Sequence, residues 1–190
     1  LVTDDACNVY VSGMVNNGTV PFGNGKVVTA TGITSFIAKY DEAGVCQWVT
    51  SLGSNGSLIN GRGTSLVRDK NGNLYFAAIC KGSSSISGTT ETIEADASKT
   101  DGAIIKFNSD GQYVWHRMFA SVADDGVTSL AVDESNNVYA VGYYEAELPV
   151  YESIKLQRNG NNRTAFVAKY SDEGEYLYAC LLYTSDAADE

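Results

Sequence analysis

The residues best equipped for chemistry in this chain are one histidine, four cysteines and three short acidic turns. His116, the single histidine, directly follows Trp115. As a general base or metal ligand it would need a carboxylate, a nucleophile or further ligands held beside it. The positions that correspond to it in the chain's internal repeat are Val49 and Ala179, which supply no such partner. A strand histidine without a catalytic role is therefore expected. Asp69-Lys70-Asn71-Gly72-Asn73 begins like a calcium loop, with oxygen ligands at alternate positions. The EF-hand pattern closes with a Glu at its twelfth position, and Cys80 stands there. The related segments Asp4-Asp5-Ala6-Cys7-Asn8 and Asp133-Glu134-Ser135-Asn136-Asn137 lose the pattern further, and hairpin turns account for all three. Cys7, Cys46, Cys80 and Cys180 contain no CxxC pair and have no histidine at ligand spacing, which argues against zinc. They fall at non-equivalent repeat positions, so buried, unpaired thiols are expected rather than a disulfide framework.

No GxSxG elbow, HExxH helix or P-loop occurs. The sequence thus assigns no catalytic, cofactor-binding or metal-ligating residue, and no cofactor. Asn17-Gly18-Thr19, Asn55-Gly56-Ser57 and Asn162-Arg163-Thr164 fit the glycosylation pattern and are read as polar loops. The formal charge of −10 comes with no basic cluster to neutralise phosphates, which excludes a nucleic-acid partner. The same charge disfavours anionic membrane surfaces. No apolar run approaches the length of a bilayer span. With 44% hydrophobic residues, 12 Tyr and 19 Gly against 2 Pro, the composition suits an ordered, turn-rich β protein.

The acidic turns belong to an internal repeat. Leu66 to Phe76 is echoed by Leu1 to Val11 and by Leu130 to Ala140, with Leu, Asp, Asn and Tyr in register. Such self-similarity marks stacked units. Each unit reads as four strands, here a to d. Strand b (Asn8 to Gly13, Asn73 to Ala78, Asn137 to Gly142) is apolar on both alternating faces, as stacking of sheets requires. Strand c recurs as Phe36–Tyr40, Ala103–Phe107 and Phe166–Tyr170, each followed by a polar turn closing on Gly44, Gly111 or Gly174. Strand d brings Trp48, Trp115 or Tyr178 four residues after that Gly, a position suited to an anchor between neighbouring units. The long b–c connections each hold two short extended patches around a turn: Thr19–Phe22 with Lys26–Thr29, Ser85–Ser87 with Glu91–Glu94, and Leu148–Tyr151 with Ser153–Leu156. They are read as an extra hairpin per unit, since structureless loops of this length are unusual.

Taken together, the Asp-to-Tyr hairpin and the Phe-x-Ala-Lys-Tyr-x-x-x-Gly block resemble the bacterial surface-exposed β-propeller repeat family, called SBBP, over nearly all of Leu1 to Ala179. Cys7 and Asn136 depart from the turn glycine seen at Gly72, and Ala78 from that at Gly13 and Gly142. The resemblance implies a repeat scaffold of secreted or surface proteins. Ala38, Asp41, Gly44 and Trp48 are superficially similar to the tryptophan-docking motif of quinoprotein propellers, but the Asp-to-Gly spacing is one short and Ala43 replaces the Thr. Convergence on one strand–turn–strand geometry explains this without a quinone.

The expected fold is all-β: an open β-propeller fragment of three four-stranded blades, about 1–53, about 61–121 and about 125–179. The first and last blades are read as incomplete, the parent supplying further blades. Residues 180–190 resemble a translated sequencing adapter, a non-native tail. The outer blades are expected to expose Val9, Tyr10, Phe166 and Tyr170, and the b–c hairpins to project from one side of all blades. The function expected is a non-catalytic binding or display module for a protein or glycan, extracellular or at the cell surface. The alternative is the scaffold of a propeller enzyme (hydrolase, lyase or quinoprotein-like oxidoreductase) whose site lies in other blades.

Overall fold

Each acidic turn folds for a local reason. The Asp side chain accepts hydrogen bonds from backbone and side chain four residues on: Asp69 from the Asn73 amide (2.8 Å) and Asn73 Nδ2 (2.8 Å). It also accepts from the hydroxyl of Tyr75, two residues into the next strand (3.2 Å). Asp4 and Asp133 repeat the set with Asn8 and Tyr10, and with Asn137 and Tyr139. The residue before the Asn stands in the left-handed region in all three turns: Gly72 at φ 87°, Cys7 at 60° and Asn136 at 63°. Glycine takes that conformation freely and Asn readily. For Cys7 it costs about 1 kcal/mol.

In the computed structural model, residues 1–53, 65–158 and 163–182 are described. Blade 1 comprises β1 (Val2–Thr3), β2 (Val9–Gly23), β3 (Lys26–Tyr40) and β4 (Cys46–Leu52), paired in that order. Blade 2 runs β5 (Ser65–Arg68), β6 (Leu74–Cys80), a hairpin of β7 (Ser83–Ser85) and β8 (Thr92–Glu94), then β9 (Asp101–Phe107) and β10 (Tyr113–Phe119). Blade 3 runs β11 (Asp125–Val132), β12 (Val138–Tyr144), a hairpin of β13 (Leu148–Tyr151) and β14 (Ile154–Leu156), then β15 (Thr164–Tyr170) and β16 (Tyr176–Leu182). The sheet order is a-b-c-d in every blade and all pairings are antiparallel. No helix occurs among the described residues, and no sheet closes on itself. The fold is thus the expected open, three-bladed β-propeller arrangement.

Two apolar cores fill the two seams. Between blades 1 and 2 lie Tyr10, Ile37 and Leu52 against Leu74, Phe76, Ile105 and Phe107. Between blades 2 and 3 lie Tyr75, Ile104, Trp115 and Phe119 against Val138, Ala140, Phe166 and Tyr170. Strands β6 and β9 of the middle blade are therefore buried on both faces, apart from the half-buried Ile79. In β12 the burial alternates, as it must where only one face is covered.

That alternation corrects the expected list of exposed residues. Tyr10, Phe166 and Tyr170 are buried, at 1%, 0% and 1% exposure, because their side chains point toward blade 2. Val9, on the opposite face of β2, is half-buried. On blade 3 the open face is carried by Val141, Tyr178 and Leu182, at 38–48% exposure. A shift of one residue reverses the face, so repeat register alone leaves this choice open.

The b–c hairpins are present, but they seal seams instead of projecting. Ile86 and Ile93 of the β7–β8 hairpin are buried in the first seam, where the hairpin adds to the edge of β4. Gly53 N donates to Ser85 O (3.0 Å) and Ser87 N to Ser51 O (2.9 Å), around a bridge of Leu52 with Ile86. Leu148, Val150 and Leu156 of β13–β14 are buried in the second seam, and Tyr170 donates its hydroxyl proton to Val150 O (3.0 Å). In blade 1 the hairpin is instead the distal half of the long β2–β3 pair. It folds over the blade's own face, packing Val28, Ala30 and Phe22 on Val15, Phe36 and Val49, with Asn24 reaching Cys46 O (3.0 Å).

Strand β16 pairs with β15 from Tyr176 to Leu182, crossing residue 179 without a break at that point. Of the stretch read as a tail, Cys180, Leu181 and Leu182 thus extend strand d, and 183–190 lie outside the described residues. Two cysteines correct another expectation. Cys46 and Cys80 are buried, but Cys7 sits exposed at its turn and Cys180 on the open face of blade 3.

Candidate functional site

The repeat builds one interlock at each seam. Trp48 of strand d in blade 1 lies on the c–d turn of blade 2, with Nε1 donating to Ser109 O (3.3 Å). Two residues on, the Thr50 hydroxyl donates to Gly111 O (2.6 Å). Trp115 of blade 2 does the same on the turn of blade 3, donating to Asp172 O (3.0 Å), and Arg117 Nε donates to Gly174 O (2.8 Å). Gly111 and Gly174 serve twice. They supply φ near 76–78°, and they leave room for the indole: a Cβ there would approach Trp48 to 2.6 Å or Trp115 to 2.9 Å. The strand-d aromatic therefore is the anchor between neighbouring blades. Lys106 adds a further bond to the second interlock, to Asp172 O (2.5 Å), with its ammonium over the Tyr75 ring.

Beside the first interlock a groove of about 610 Å3 opens between strand d of blade 1, the c–d turn of blade 2 and the tip of the β7–β8 hairpin. Trp48, Thr50, Ser87, Thr89, Gly111, Gln112 and Tyr113 contribute to its walls. Among the described residues strand β4 ends its sheet here, and the β7–β8 hairpin meets its outer edge at the bridge of Leu52 with Ile86. Sequence reasoning did not single out Ser87, Thr89 or Gln112, because each lies in a loop whose position depends on the neighbouring blade.

His116 stands behind this groove, its Nδ1 2.9 Å from the Tyr113 hydroxyl. Burial, reinforced by the Arg117 charge and opposed by Glu91, lowers its pKa, so the ring is neutral at pH 7. Among the described residues its hydrogen-bond partner is the Tyr113 hydroxyl. The acidic turns point the same way. Both oxygens of Asp4 and of Asp133 already accept from N–H and O–H donors, and Asp133 also pairs with Lys169 (3.0 Å). Hydrogen bonds from Asn8 hold Asp4 down at a pKa of about 2, and those from Asn137 lower Asp133 likewise. Donors aimed at a carboxylate occupy the positions a cation would take. Among the described residues no group of three His, Cys, Asp or Glu is placed to hold a metal ion. Asn17 of the first glycosylation triplet lies exposed on β2, whereas Asn55 and Asn162 fall outside the described residues.

Two buried carboxylates on neighbouring blades carry no signal in the sequence, since their burial depends on the second seam. Asp125 opens β11, and Asp101 opens β9 with Oδ1 buried and unpaired among the described residues. Burial pushes Asp125 up to about 6 despite hydrogen bonds from the Ser121 amide and hydroxyl, and the Asp101 charge adds to the rise. Asp101 is raised by the same burial, further by Asp96 and Asp124. A carboxyl whose pKa is higher folded than unfolded takes up a proton on folding. Its contribution is therefore most favourable below about pH 4 and is lost as pH rises through 6. We expect thermal stability to rise between pH 7.5 and 5 by on the order of 2 kcal/mol, a few degrees. Asp125→Asn should flatten this slope, and an unchanged slope in that variant would place the titration elsewhere. Below pH 4 the lowered Asp4 and Asp133 act in the opposite sense and stability falls.

No family model matches the chain. It is similar to an uncharacterized WD repeat-containing protein of Acanthamoeba polyphaga mimivirus, L264, at 26% identity over 195 aligned positions. The match covers 90% of this chain and 14% of that protein's length. The chain itself has no Trp-Asp dipeptide; Val49 and His116 follow its two tryptophans.

Proposed function

We propose that the chain is a non-catalytic protein-interaction module of propeller type, contacting an extended peptide segment of its partner through the groove beside β4. The observation that carries this reading is the groove itself: the polar side chains of Thr50, Ser87, Thr89 and Gln112, with the Asp110 carboxylate and the Trp48 and Tyr113 rings, beside the outer edge of a strand. Strand edges accept added strands through main-chain hydrogen bonds. The chain already does this internally where β7 joins β4. Protein is favoured over glycan because main-chain pairing suits a peptide. Similarity to a WD repeat-containing protein supports an interaction role. The resemblance to surface-exposed bacterial repeats supports display outside the cell.

The test is a random displayed-peptide library selected against the immobilised chain, followed by anisotropy titration of the enriched peptides. We expect micromolar binders whose affinity falls at least ten-fold, about 1.4 kcal/mol, in Thr89→Arg and in Gln112→Arg. Both side chains are exposed, so both variants should fold. Enriched peptides indifferent to both changes, or no binder at all, would overturn the reading. Turnover of a hydrolase, lyase or oxidoreductase substrate would favour the enzyme alternative.

A further inference from the structure

The second seam holds an arginine in the place where the first seam opens into the groove. Arg117 stands two residues after Trp115, as Thr50 stands two after Trp48. Its guanidinium lies over the Trp115 ring, 5.3 Å from the centre, with Nε donating to Gly174 O (2.8 Å) and Nη1 to His116 O (2.8 Å). The indole beneath it is 8% exposed. The charges of Glu152, Glu175 and Arg117 all reach Tyr151 at the hairpin tip, which stacks on Tyr176 at 5.2 Å. At the first seam the ring, the turn carbonyl and the acids recur, and a threonine stands where the arginine was. Thr50 reaches the equivalent carbonyl, Gly111 O, with its hydroxyl (2.6 Å), while Trp48 stays half-buried in the groove wall. Tyr113 takes the place of Tyr176, and the hairpin tip brings Ser87, Gly88 and Thr89 instead of a stacking ring. Exposed Asp110 lines the groove, and the Glu91 charge reaches Tyr113 and His116. Arg117, whose charge also reaches Tyr113, is held by Gly174 O and His116 O.

From this internal template we infer that the groove takes an arginine side chain of the partner segment, its guanidinium over the Trp48 ring and beside Gly111 O and Asp110. The inference rests on the reading of the groove as a peptide site and names the residue that anchors the peptide there. Thr50 is short, so it leaves open the space that Arg117 fills at the other seam. Its hydroxyl takes one lone pair of Gly111 O, and a carbonyl oxygen has a second to offer. A guanidinium is planar and weakly hydrated, stacks on an aromatic face and donates at its edge to carbonyl and carboxylate oxygens together. A lysine ammonium brings the charge without the plane. The formal charge of −10 draws any cationic segment to the whole surface, so recognition in the groove must show as dependence on the groove's own residues.

The probes are dye-labelled pools of short peptides, each with its central position fixed as Arg, Lys, citrulline or Glu and the other positions randomised. They are titrated against the whole chain by anisotropy at about 0.15 M salt, where exposed charges more than about 8 Å apart are largely screened. We expect the Arg pool to bind at least ten-fold more tightly than the citrulline pool, which keeps the shape and loses the charge, with Lys between them. Thr50→Arg rebuilds the arrangement of the second seam and should erase the preference, its folding checked by thermal melting. Asp110→Asn, at an exposed position, should reduce the preference at least three-fold and decides the matter if Thr50→Arg does not fold. Arg and citrulline pools bound equally, and both lost in Thr89→Arg, would overturn the arginine anchor and leave the peptide site standing. An Arg preference unchanged in Asp110→Asn and in folded Thr50→Arg would mean attraction to the acidic surface, and would overturn it as well. Binding of none of the pools would remove the peptide site itself, and the anchor with it.

Discussion

Trp115→Ala is expected to cost about 3–5 kcal/mol, the range found when a buried large aromatic is truncated. The indole is 8% exposed, wedged between the Tyr75 ring at 5.9 Å and the glycine turn of blade 3. Truncation empties that space, removes the hydrogen bond to Asp172 O and deprives the Arg117 guanidinium of the ring it lies against at 5.3 Å. A native domain is stable by only about 5–15 kcal/mol, so the urea midpoint should fall steeply. Trp115→Phe keeps most of the packing and loses the N–H bond, worth about 1 kcal/mol. If Trp115→Ala stayed within 1 kcal/mol of the parent, about the worth of that bond alone, the ring would not be the seam's anchor.

Gly142→Ala should be as damaging for a different reason. A methyl group there would overlap the Gly126 carbonyl oxygen of the adjoining strand and come within 2.7 Å of the Phe166 ring. Backbone cannot rotate away as a side chain can, so β11 must separate from β12 near its bulge between Val127 and Ser129. We expect a loss above about 3 kcal/mol, beyond the usual range for overpacking. Gly32→Ala is the control: it meets nothing within 4 Å and needs no left-handed backbone, so it should be neutral or slightly stabilising. Equal stability of the two variants would refute the close approach of strands a and b in blade 3.

The Gly142 site also shows what the sequence could and could not reveal. In the repeat alignment Gly142 and Ala78 are equivalent and seem interchangeable, since the neighbour that forbids a methyl group comes from a separate strand. Features encoded within a few residues were legible. The Asp-to-Asn-to-Tyr turns, the four strands per blade and the anchoring role of Trp48 and Trp115 follow from local hydrogen bonding and fixed spacing. Features that depend on which face meets which neighbour were not. Tyr10, Phe166 and Tyr170 were assigned to the wrong side because their parity is set by the stacking direction. The hairpins looked like free projections because nothing local says which of their apolar residues meet a neighbour: Ile86 and Ile93 in one and Leu148, Val150 and Leu156 in the other are buried, whereas Tyr151 and Ile154 stay exposed. Of the candidate site, the interlock was half visible through its aromatics. The groove and the Asp101–Asp125 pair were not, since each is assembled from two blades.

The middle blade is held from both sides, by blade 1 across the first seam and blade 3 across the second. Native-state amide hydrogen exchange, read by mass spectrometry on the dilute chain, tests it most directly. Exchange is expected to be slowest in β6 and β9, the two strands of the middle blade buried on both faces, and faster in the distal half of β2–β3 and in β16. Protection in β16 equal to that in β9, or β6 and β9 exchanging as fast as the outer blades, would contradict the stack.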